Sequence, residues 1–103
     1  MTQSQNQTLN RLQEDLERND IPQHSREAII QYILYGRGLG DFLRNVFSNK
    51  LVQSFSRADD INGKSLKNYA VFLYNCTPAD CWGSEEIYKD WCFKGGLFGE
   101  KEK

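Results

Sequence analysis

The chain has 103 residues, 39% hydrophobic, 13% aromatic and 26% charged, with a formal net charge of −1; this fits one globular domain with one core and excludes a disordered chain or two independently stable domains. No apolar run approaches the roughly 20 residues that span a bilayer, and Met1 to Gln7 is polar where a signal peptide needs an apolar region, so the expectation is a cytoplasmic protein with no membrane partner. Charge is uneven along the chain: residues 1–36 and 68–103 carry −2 each, whereas 37–67 carries +3, enough to face an anionic partner but also the ordinary charge of a solvated helix face.

Leu9, Leu12 and Leu16 recur at helical spacing behind Thr8, a cap residue, so residues 9–19 are expected to form a short amphipathic helix after a polar tail. Residues 1–20 then stand apart from a helical core domain over 21–97. A helix that short is marginal in water, so its leucines must dock on the body or pair between two copies as a homodimer seam. Ile21-Pro22 breaks the chain, and Ser25 to Tyr35 gives a more apolar helix stopped by Gly36. Gly36-Arg37-Gly38-Leu39-Gly40 has the glycine content of a phosphate loop, but no strand precedes it and its spacing matches neither nucleotide motif. It reads as a flexible connection to Asp41, which opens a short helix over 41–47 that ends or bends near Ser48-Asn49.

Leu51, Phe55, Ala58, Asn62, Leu66, Tyr69 and Leu73 follow in steps of three and four, one face of a helix. The expectation is one long central helix over about 49–75 with Asn62 as an inward amide. A split at Asn62-Gly63 is the competing reading. Pro78 ends this segment, and Ser84 is the expected cap of a last helix with Glu85 and Glu86 in its first turn. Ile87 and Trp91 share a face, Gly95-Gly96 stops the helix, and 98–103 is expected to be a flexible charged tail. No alternating strand occurs. The fold class is therefore all-α, a compact single-domain bundle of five or six helices.

The segment Asn75 to Ser84 is a polar hinge carrying an indole and two thiols. Three cysteines fit free thiols, with one Cys76–Cys81 bridge as the alternative. Their C-x4-C-x10-C spacing matches no common zinc pattern, so neither a metal nor a cofactor is expected. His24 is the only histidine, no sequence logic sets it against a cysteine, and Asp59 and Asp60 diverge by about 100° on a helix. No enzyme is expected. Trp82 either packs as a staple on the next helix or serves recognition. Asn62 and Asn75 either fix register and a helix end or line a site. If the last helix folds back across the long one, Arg57, Asp59, Asn62, Asn75, Trp82 and Ser84 meet in a polar pocket with an aromatic wall.

Gly40-Asp41-Phe42-Leu43, Asn49, Phe55-Ser56-Arg57-Ala58-Asp59, Asn62, Leu73-Tyr74-Asn75, Pro78 and Cys81-Trp82-Gly83-Ser84, ending at Trp91, resemble small all-helical proteins encoded by bacteriophages, prophages and other mobile elements. The resemblance covers about residues 36–93 and comes from a family with no assigned activity. It implies an accessory protein in the host cytoplasm that binds stoichiometrically and antagonises a host protein such as a defence factor, for example as an anti-CRISPR-type inhibitor. Arg44 and Arg57 are then the expected charged anchors and Trp82 the buried anchor. A helical module that binds nucleic acid or a nucleotide, and a structural or assembly protein, are the alternatives.

Overall fold

The computed structural model describes residues 2–50, 53, 54 and 60–99. Its helices are α1 (Gln3–Arg18), α2 (Gln23–Tyr35), α3 (Asp41–Phe47), α4 (Asp60–Lys64), α5 (Leu66–Cys76), α6 (Glu85–Lys94) and a last turn, α7 (Gly96–Gly99), with a 3-10 turn at Ala79–Cys81. The fold is all-α, a helical bundle, with no strand among the described residues. No helix among them is long and apolar enough to cross a membrane.

The first helix begins six residues earlier than the leucine spacing predicts. Thr2 and Gln5 form a capping box, in which the Thr2 hydroxyl accepts from Gln5 N–H at 3.0 Å and Gln5 Oε1 accepts from Thr2 N–H at 3.1 Å. Thr8 is no cap: its hydroxyl donates to the Ser4 carbonyl at 3.1 Å inside the helix. Leu12 and Leu16 are buried and Leu9 packs at the edge of the same core, where α1 lies on α2 and α5. The homodimer seam expected through Leu9, Leu12 and Leu16 is corrected on that ground, because the leucines are consumed within one chain.

Tyr32 of α2 is the hub of the interior. Its ring stacks on Tyr88 at 5.4 Å, meets Phe47 edge-on at 5.0 Å, and lies 6.5 Å from Trp91. The Trp91 indole donates to the Tyr32 carbonyl at 2.9 Å, so α2 and α6 are joined by ring packing and a buried hydrogen bond. The buried face of α6 therefore runs through Tyr88 and Trp91, with Ile87 half-buried beside it.

The glycine segment after α2 is held in place. Gly36 closes α2 in the left-handed region at φ 72°, and Arg37 N–H reaches back to the Gln31 carbonyl. Leu39 N–H donates to the Tyr88 hydroxyl at 2.9 Å. Gly36 also touches Gly96, whose φ is 77°, so closely that a Cβ on Gly96 would sit 2.5 Å from Gly36 N. This backbone contact seats α7 on the end of α2, and Phe98, read in the sequence as part of the tail, meets Tyr35 edge-on at 5.8 Å. The rest of that tail, 100–103, lies outside the described residues.

The central seam is divided, at a place neither sequence reading chose. Ser65 N–H is shared between the carbonyls of Ile61 at 3.2 Å and Asn62 at 3.1 Å, a 3-10-like tightening that separates α4 from α5 just after Gly63. Tyr69 N–H still bonds the Ser65 carbonyl, so phase is kept and Asn62, Tyr69 and Leu73 all face inward. Leu51, Phe55 and Ala58, the earlier members of the seam, lie outside the described residues. Upstream, Asn49 at φ 62° ends the α3 region.

Candidate functional site

The hinge between α5 and α6 is fixed from three sides. The Tyr32 hydroxyl donates to the Cys81 carbonyl at 2.8 Å, Gly83 N–H donates to the Phe47 carbonyl at 2.9 Å, and Thr77 Oγ1 donates to the Leu73 carbonyl at 2.7 Å. These bonds satisfy carbonyls that a helix end and a turn would otherwise leave unpaired. They also set Trp82 in an extended conformation, half-buried, with part of its ring against the core.

The rest of the Trp82 ring helps line an open-sided groove of about 470 Å³ between α3, α5 and the hinge. Its floor is apolar, with Val46, Leu66, Ala70, Leu73 and Trp82. Asn49, Lys50, Ser54 and Asn75 contribute the polar groups, and Val71 and Tyr74 rise from the rim, Tyr74 being 79% exposed. The volume lies within the roughly 300–1,000 Å³ of ordinary binding sites, and an apolar floor with a few polar groups is the usual lining of one.

Beside the groove, Glu85 gathers cations. Arg44 Nη2 lies 2.7 Å from its carboxylate, Lys50 Nζ bonds the other oxygen, and Lys89 is 3.9 Å away. Hydrogen bonds from Lys50 and then Arg44 hold the Glu85 carboxyl down to about 2. The Arg44 guanidinium, 5.1 Å above the Tyr88 ring, is correspondingly raised by Glu85.

Among the described residues expected to form one polar pocket, only Asn75 and Trp82 line a common cavity. Asn75 does not cap its helix; its amide donates to the Val71 carbonyl at 3.1 Å, and Thr77 occupies the cap. Asn62 is buried, accepting at 2.6 Å from the Tyr69 hydroxyl, which also lies 2.8 Å from the Ser25 hydroxyl. Because Tyr69 has one proton and the Asn62 carbonyl oxygen only accepts, Tyr69 donates to Asn62 and Ser25 donates to Tyr69. The inward amide thus fixes packing between α2, α4 and α5. Ser84 is the predicted cap, its hydroxyl accepting from Ile87 N–H at 3.1 Å. Arg44 is bound to Glu85 rather than presented alone. Arg57 and Asp59 lie outside the described residues.

The cysteines are free thiols in separate surroundings. Cys81 is fully buried, and burial pushes its thiol up to about 11. Cys76 receives a 3.5 Å contact from the Asn19 amide, and the half-buried Cys92 thiol is raised by burial. No three His, Cys, Asp or Glu side chains converge as a metal set among the described residues.

Sequence reasoning missed Tyr74, Val71 and Ala70 as site residues. Their signal was present as a second stripe on α5, offset by one position from the buried seam and free of carboxylates. No protein-family model, curated protein or solved structure matches the chain.

Proposed function

We propose that the chain works by stoichiometric binding, using the groove between α3, α5 and the hinge to hold a partner protein. The observation that carries this reading is the exposed Tyr74 standing beside half-buried Trp82 over an apolar floor. Aromatic side chains set in or around a partly desolvated pocket are the residues that most often dominate protein interfaces. The hydrogen bonds that fix the hinge support it too, because a pre-shaped site loses less entropy on binding.

The setting implied by the resemblance makes that partner a host protein, such as a defence factor, and the chain a mobile-element accessory protein that antagonises it. Binding without turnover is the corresponding mode of action. Lys50 then serves as a braced wall of the groove, and Arg44 behind it is no free anchor, since both are engaged by Glu85. The same pairing leaves less of the positive middle for phosphates, which weakens the nucleic-acid reading.

The test is affinity capture from host lysate with the wild-type chain and with Tyr74→Ala and Trp82→Ala. Retention of a stoichiometric partner by the wild type, lost by about thirtyfold or more in either variant, is the expected result. A partner held equally by all three would place the contact elsewhere.

A further inference from the structure

We draw no further inference here: the strongest candidate, the apolar groove between α3, α5 and the hinge, belongs to the site already described, and nothing in the structure shows what covers it.

Discussion

The Tyr32 hydroxyl donates a 2.8 Å hydrogen bond to the Cys81 carbonyl, between two residues that are fully buried. It ties the hinge carrying Trp82 to the middle of α2. Burial raises the phenol far above its ordinary range, so the proton stays in place at any ordinary pH. Tyr32→Phe keeps the ring contacts and leaves the carbonyl without its donor. The expected cost is about 1–3 kcal/mol in urea unfolding, with little change in helical circular dichroism.

Gly96, which opens α7, packs against the backbone of Gly36, which closes α2. Both have positive φ, and a Cβ at Gly96 would lie 2.5 Å from Gly36 N and 2.7 Å from Tyr35 N. Gly96→Ala combines a left-handed conformation costing about 1–3 kcal/mol with an overlap against backbone that cannot rotate away. A fall of at least about 2 kcal/mol is expected. Gly38→Ala is the control, since its Cβ would meet only the Tyr88 hydroxyl at 3.5 Å; its melting temperature should match or slightly exceed wild type.

Glu85 sets an acid-side dependence of stability. Its folded-state value, about 2, lies below the ordinary 4.5, so its contribution is fully present above about 4.5 and is lost as pH falls through about 2. Wild type should therefore lose more stability across that window than Glu85→Gln. Added salt should narrow the difference, because the cluster is partly exposed. A Glu85 carboxyl carbon that titrates at the ordinary 4.5 in nuclear magnetic resonance would refute the assignment.

The three thiols should separate by reactivity. Cys81 is both fully buried and raised to about 11, so its thiolate is scarce and inaccessible. Iodoacetamide at neutral pH should modify the half-buried Cys76 and Cys92 first, and Cys81 only at the rate of unfolding. Mass spectrometry of the labelled peptides gives the order. Loss of the Tyr32 hydroxyl should hasten Cys81 labelling by destabilising the hinge.

Local signals carried most of the fold. Thr2 with Gln5, Gly36, Ser84 and Gly95 act through neighbours within a few residues, so caps and stops are readable in one dimension, although the polar run after Thr2 hid the first of them. The break at Ser65 was not readable, because it depends on one N–H shared between two carbonyls, and no residue type there demands it. The candidate site was less legible still. Lys50 and Glu85 meet across 35 residues, and the seam spacing that turned Asn62 inward could not show that Ser25, 44 residues from Tyr69, completes its hydrogen-bond chain. Trp82 could be singled out from its hinge, but its division between core and groove is a product of packing.

Tyr74 and Trp82 separate binding from folding. Tyr74 is 79% exposed at the groove rim, so Tyr74→Ala should change unfolding free energy by no more than about 0.5 kcal/mol. Trp82 also packs on the core, so Trp82→Ala should lower stability by about 1–3 kcal/mol as well as binding. Trp82 and Trp91 are the two indoles, and Trp91 is buried with its N–H bonded to the Tyr32 carbonyl. A shift of tryptophan emission on partner addition should therefore come from Trp82 and vanish in Trp82→Phe. If the shift persists in that variant, or if Tyr74→Ala unfolds the chain before it weakens binding, the aromatic pair is structural and the groove is not the contact surface.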